Sequence, residues 1–204
     1  MKLIERQLLD AGISPLAGVD EAGRGACAGP LVIASVVLSD PFIPELSVVR
    51  DSKEIAEAKR DQVFEIIHEH ATAISVIVVP PQEIDERGVH AANLDGMRRA
   101  VQGLTVPPAY VLTDGYAIEG MAVPSLAVWK GDQVCVCISA ASVIAKVTRD
   151  RIMRELDAKF PHYGFASHKG YITASHTKAL AEHGPCGEHR FSYANIAALH
   201  TPGK

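Results

Sequence analysis

The chain has 204 residues, 48% of them hydrophobic, with four cysteines and a formal net charge of −4. That length supports one hydrophobic core with a small appendage, and no apolar stretch approaches what a membrane span requires. Cysteines this sparse do not make a disulfide scaffold, and the opening Met1-Lys2-Leu3-Ile4-Glu5-Arg6 is charged too early for a signal peptide, so a cytoplasmic location is expected.

In chain order, Leu16–Ala22 reads as a short strand ending in the acids Asp20 and Glu21. Leu31–Leu38 is a continuous, largely β-branched run of the kind found in buried strands. Ala56–His70 has helical spacing, with Val63, Phe64, Ile66 and Ile67 on its apolar face, although Ile55-Ala56 offers no capping side chain. Ala73–Val79 is strand-like and stopped by Pro80-Pro81. Val89–Leu104 alternates at helical period, Ala109–Thr113 is a strand closing on Asp114-Gly115, and Ala122–Trp129 is the strand after it. Cys135–Phe160 is the longest helical pattern, ending before Pro161, and from His162 onward shorter helices are joined by Gly and Pro. Adjacent strands followed by alternating strands and helices predict a mixed α/β sheet with helices on its faces. No repeat or linker divides residues 1–204, so a single domain is expected, with residues 161–204 as a C-terminal helical lobe.

Charge is distributed unevenly. Residues 130–190 carry nine Lys and Arg against six Asp and Glu, which leaves the rest of the chain acidic. A locally basic lobe beside acids suits a phosphate-bearing partner held near a cation, whereas solvated charge on a long helix gives the same count. Among the acids, Asp20 and Glu21 are neighbours on a strand and point to opposite faces. They share a site only if the strand bulges, or if it ends there and the longer Glu21 side chain curls round. Asp114 precedes a glycine, as ordinary turn residues do, and Asp132 stands before the long helix, where N-capping is the default role.

Five segments taken together carry more. Val19-Asp20-Glu21-Ala22-Gly23-Arg24-Gly25, Tyr110-Val111-Leu112-Thr113-Asp114, Lys130-Gly131-Asp132, the run Ile138–Asp150 and His168-Lys169-Gly170-Tyr171 resemble, in order, the motifs of ribonuclease HII, the type 2 ribonuclease H family. The resemblance runs from about Leu16 to about Tyr193. It implies a ribonuclease H-like fold, a five-stranded mixed β-sheet flanked by helices with a small C-terminal helical lobe. It also implies one metal site made by Asp20, Glu21, Asp114 and Asp132. An all-oxygen site of this kind suits two ions of Mg²⁺ or Mn²⁺, with water rather than a side chain as the nucleophile.

The implied activity is endonucleolytic: hydrolysis of the RNA strand of RNA–DNA hybrids, and incision 5′ of ribonucleotides embedded in duplex DNA, leaving a 3′-hydroxyl and a 5′-phosphate. That places the chain in ribonucleotide excision repair and DNA replication, acting as a monomer. By the same resemblance, the Gly23-Arg24-Gly25 backbone and Tyr171 read the ribose 2′-hydroxyl, the group that separates RNA from DNA. Lys53, Lys146 and Arg149 are candidates for phosphate contacts, with Ser139 and Ser142 as added hydroxyl donors.

Other readings are weaker. Gly23-x-Gly25-x3-Gly29 resembles a dinucleotide loop, but such a loop opens a helix, and here Pro30 leads into a strand. His183-x2-Cys186-x2-His189 invites zinc, yet lacks a convincing fourth ligand. A non-catalytic nucleic-acid binder has no use for four acids. Ribonuclease HIII and junction resolvases are the nearest enzymatic alternatives; the former usually carries an extra N-terminal domain, and only about fifteen residues precede the first strand here.

Overall fold

The computed structural model describes residues 3–49 and 56–199. Strands β1 (Leu16–Ala22), β2 (Leu31–Leu38) and β3 (Ala71–Val79) run antiparallel, β1 and β2 joined by a short loop and β2 and β3 by a longer connection that includes a helix. After β3 the chain crosses over through α3 (Pro81–Arg87) and α4 (Val89–Gln102). It therefore re-enters parallel to β1 as β4 (Tyr110–Asp114), with β5 (Ser125–Val128) parallel beyond it. The sheet order is β3-β2-β1-β4-β5.

The pleat sorts the strand residues between two cores. Val32, Ala34, Val36 and Leu112 pack on one face with α6 (Val136–Lys159) and α2 (Glu57–His70). Ala17, Val19, Ile33 and Val111 pack on the other with α4. Strand β2 is buried along its whole length, which is why it reads as an unbroken apolar run. The long helix lies very close to β1: a Cβ on Gly18 would stand 2.1 Å from the carbonyl carbon of Cys137. A third cluster joins α7 (Phe165–His168), α8 (Ala174–His183) and α9 (Ala194–Ala197) to Met153 and Leu156 of α6 and to Cys27 and Ala28 of the loop after β1.

Local departures from the sequence reading have physical causes. An N-terminal helix, α1 (Leu3–Asp10), precedes the first strand and packs Ile4 and Leu8 on the α6 side of the sheet. Pro81 opens α3 rather than simply ending β3, since a proline at the first helical position loses no hydrogen bond. Ala56 stands at the start of α2 with no side-chain cap, as its sequence implied. The pattern expected as one helix from Cys135 is preceded by a separate single turn, α5 (Gly131–Val134), and Cys135 between them is extended. Among the described residues no helix is long and apolar enough to cross a membrane.

Candidate functional site

Strands β1 and β4 end side by side. Their register pairs Val19 with Thr113, so the next residues, Asp20 and Asp114, emerge together on the α6 face. Asp132 approaches from α5. The three carboxylates offer oxygens that all lie within 4.8 Å of one another, and Asp20 and Asp132 are almost completely buried. Burial, reinforced by the neighbouring Glu21 and Asp114 carboxylates, holds the Asp20 carboxyl well above the ordinary aspartate range, against the opposing hydrogen bonds from Ser142 and the Glu21 N–H. The Glu21 amide donates to Asp20 Oδ1 at 2.7 Å. Three acids this close are a poor arrangement for an empty protein and a good one for a hard cation.

Glu21 is placed differently. The β1–β2 register continues unbroken through Asp20 opposite Ala34 and Glu21 opposite Ile33, so there is no bulge, and Glu21 starts from the opposite face of the sheet. It falls outside the three-acid group but lines two grooves. One, of about 400 Å³, also contains Asp20, Gly25 and Tyr171; the other contains Asp132, Tyr116 and Trp129, and Asp114 borders both.

The N-cap reading of Asp132 is corrected. The leading amides of α6, on Val136 and Cys137, donate to the fully buried Glu5 carboxylate of α1 at 2.7 and 2.8 Å. A carboxylate supplied from the other end of the chain thus meets the positive end of the helix, and Asp132 is released toward the acids. Ser139 is corrected as well: its buried hydroxyl donates to the carbonyls of Asp132 and Cys135 at 2.6 and 2.7 Å, fastening α5 to α6 rather than facing substrate.

The glycine loop after β1 is held from behind by two buried arginines. Arg149 donates to the carbonyls of Pro30, Ala28 and Lys169 at 2.8, 3.1 and 2.9 Å, and burial lowers its pKa to about 10. Arg190 donates to the carbonyls of Gly29 and Arg24, and to the Tyr193 hydroxyl, which itself donates to the Arg24 carbonyl. Arg149 borders the inner groove but is only 1% exposed, and three of its five N–H groups are given to backbone carbonyls, so its visible role is to hold the loop. With these carbonyls engaged, the amides of Arg24 and Gly25 have no protein acceptor among the described residues. Gly23, at φ +88°, could not carry a side chain, because a Cβ would strike the Arg149 guanidinium at 1.8 Å.

Tyr171 stands across this loop, 43% exposed, with its ring 3.8 Å from where a Gly25 Cβ would be. Its hydroxyl has no protein partner among the described residues. Gly170, at φ +79°, must be glycine, since a Cβ would lie 2.3 Å from the Ala28 carbonyl oxygen. Lys130 and Lys169 are the two non-glycine residues with left-handed backbone among the described residues. Each opens a Lys-Gly turn that delivers Asp132 or Tyr171, a local strain the surrounding packing must hold.

Ser142 and Lys146 line the inner groove. Ser142 hydrogen-bonds Asp20, while Lys146 is paired with Asp150 at 2.6 Å and its pKa is lowered by burial. Lys53 lies outside the described residues. His183 packs on the His162 ring, Cys186 Sγ meets His189 Nδ1, and the three aspartates are the only metal-competent group among the described residues. The sequence reading overlooked Glu5, Arg190 and Trp129. Trp129 is 81% exposed at the outer groove, and its being the sole tryptophan was the available signal.

Residues 17–196 match the family model described as Ribonuclease HII. The chain is 58% identical over 192 residues to the ribonuclease HII of Acidothermus cellulolyticus, covering 94% of this chain and 62% of that protein. Against the ribonuclease HII of Salinispora tropica it is 56% identical, covering 96% of this chain and 73% of the relative. The crystal structure of ribonuclease H2 from Pyrococcus horikoshii OT3 superposes with a TM-score of 0.79 at 27% identity, covering 91% of this chain and 97% of that one. The sheet order, the three-acid cluster and these relatives agree: the chain belongs to the ribonuclease HII family of metal-dependent ribonuclease H endonucleases.

Proposed function

We propose that this chain hydrolyses the RNA strand of RNA–DNA hybrids and incises on the 5′ side of a ribonucleotide embedded in duplex DNA, leaving a 3′-hydroxyl and a 5′-phosphate. The observation that carries the reading is the Asp20–Asp114–Asp132 cluster, with oxygens within 4.8 Å of one another, of which Asp20 and Asp114 line the groove that also holds Gly25 and Tyr171. The donor set is all carboxylate oxygen and fits Mg²⁺ or Mn²⁺, with Glu21 as a further carboxylate lining the same groove. When bound, such ions supply Lewis-acid stabilisation at phosphorus and an activated water.

The protein's own groups do the selecting. The free Arg24 and Gly25 amides point donors at the strand, and the unengaged Tyr171 hydroxyl can both donate to and accept from a ribose 2′-OH while its ring covers the sugar. Lys146 adds positive charge at the groove wall, and Ser142 orients Asp20. Trp129 and Lys130 flank the far side, where a stacked base and a phosphate fit. A strand laid across Tyr171 and the acids meets both readers of ribose beside the scissile position. The role is that of a cytoplasmic monomer in ribonucleotide removal.

Cleavage-site mapping on a DNA duplex with one embedded ribonucleotide, with chelator, Mg²⁺ or Mn²⁺, tests this. A divalent-dependent cut 5′ of the ribonucleotide without cyclic phosphate is expected. Metal-independent cleavage, or cyclic-phosphate ends, would overturn it.

A further inference from the structure

Behind Tyr171 lies a set of buried histidines that the proposed chemistry leaves unused. His176 Nδ1 is 3.0 Å from the Tyr171 carbonyl oxygen, and His176 Nε2 is 3.0 Å from His189 Nε2. The Cys186 amide reaches His189 Nδ1 at 3.0 Å. At the far end His189 Nδ1 also lies 3.3 Å from the Cys186 carbonyl oxygen, a longer contact than the one to the amide. A carbonyl only accepts, so His176 Nδ1 carries the proton and, in a neutral ring, Nε2 is bare. It must then receive the His189 Nε2–H, which leaves His189 Nδ1 bare to accept the Cys186 N–H. With the shorter contact to the Cys186 amide made, one arrangement of protons satisfies the three 3.0 Å links, and both imidazoles are neutral in it.

Burial favours that form, lowering the pKa of His176 and bringing that of His189 to about 4, and both rings are fully buried. The adjoining groups fit the same state. His168 stacks on His176 with ring centres 4.2 Å apart, accepts the Gly170 N–H at Nδ1 and reaches the Tyr163 carbonyl through Nε2 at 2.7 Å. The Gly170 carbonyl in turn accepts the Cys27 and Ala28 amides at 3.0 and 3.3 Å, and Lys169 O accepts from Arg149. Cys27, Tyr163, Cys186 and Arg190 complete the surroundings. The Lys169–Tyr171 turn is therefore hydrogen-bonded on every side except that of the Tyr171 ring.

We infer that His176 and His189 are positioning residues: a neutral two-histidine relay running from the Cys186 amide to the Tyr171 carbonyl, which fixes the angle at which the Tyr171 ring meets the ribonucleotide. This rests on Tyr171 contacting the substrate, as proposed above. The left-handed Lys169 gives the relay its purpose, because that turn is strained and a ring on it would otherwise wander. Misplacement by a fraction of an ångström at a substrate-orienting group is enough to lower rate.

A double-mutant cycle tests it. Full-length wild type, His176→Phe, His176→Asn, Tyr171→Ala and the His176→Phe/Tyr171→Ala double variant are compared for cleavage of a single-ribonucleotide duplex in Mg²⁺. Phe keeps the ring stack and loses both hydrogen bonds; Asn restores a donor near the Nδ1 position. His176→Phe should lose roughly tenfold in kcat/KM in the wild-type background and less than about twofold once Tyr171 is Ala, with Asn recovering most of the loss. Equal losses in both backgrounds would make His176 a packing residue and overturn the relay, as would wild-type activity of His176→Phe. Should Phe fail to fold, the Asn variant decides: near wild-type rate supports the relay, and a loss undiminished in the Tyr171→Ala background refutes it. An unaffected Tyr171→Ala enzyme would sink the Tyr171 contact itself, and the relay with it, whereas a wild type that does not cut the duplex would sink the proposed function.

Discussion

Asp20→Asn should stabilise the metal-free protein while abolishing its activity. The substitution keeps the shape of the side chain and leaves Oδ1 in place to accept the Glu21 N–H, so packing and that hydrogen bond survive. What it removes is charge. At separations up to 4.8 Å and an effective dielectric of about 20, each pair of like charges costs at least about 3.5 kcal/mol. Burial and the acidic neighbours already push the Asp20 carboxyl well above its usual range, so only part of that repulsion is recovered on substitution. A net gain of about 1–3 kcal/mol is left, or roughly 2–10 °C in Tm for a chain of this size. Thermal unfolding near neutral pH in chelator should place the variant above wild type. With Mg²⁺ in excess the wild type should rise by linkage and the variant much less, narrowing or inverting the order. A variant that melts at or below wild type in chelator would refute the view that these acids are mutually repulsive and built for a cation.

Arg149→Lys should lower stability by about 2–5 kcal/mol, because an ammonium cannot serve three buried carbonyls in three directions; an unchanged denaturation midpoint would show the guanidinium to be dispensable. Tyr171→Phe should lose on the order of tenfold to a hundredfold in rate on a single-ribonucleotide duplex, and Tyr171→Ala more; equal rates for all three proteins would remove the tyrosine from recognition. His189 is neutral in the fold with a pKa of about 4 against an ordinary 6.5, so its contribution to stability is complete above about pH 6.5 and is lost as pH falls toward 4. Urea midpoints should therefore drop across that window, and His189→Gln should flatten the drop. Trp129, the sole tryptophan, should report nucleic-acid binding by a change in its fluorescence; no change on saturation with a hybrid duplex would place the strand elsewhere.

The sequence by itself carried the strands, the long helix and the identity of the acids, because these are written in local periodicity and in contiguous motifs. Strand ends at Ala22 and Leu38, and the apolar run of β2, follow from residues a few positions apart. The Gly23-Arg24-Gly25 and Lys169-Gly170-Tyr171 segments were legible as family motifs, and Gly23 and Gly170 stand where a Cβ would collide with Arg149 or with the Ala28 carbonyl. That the acids share a site was implied by the family resemblance, while local pattern alone did not say how they meet. Adjacent Asp20 and Glu21 part to opposite faces, whereas Asp20 and Asp114, far apart in sequence, meet because parallel register aligns the ends of β1 and β4. The roles of charged side chains were likewise decided by burial. Arg149 reads as a cation on a helix until its donors are seen on the carbonyls of Ala28, Pro30 and Lys169, and Glu5 reads as an early charge until it is seen on the amides of Val136 and Cys137. Periodicity records which face of an element is apolar. Which distant backbone group satisfies a buried charge depends on how the elements pack, and only the tertiary structure decides that.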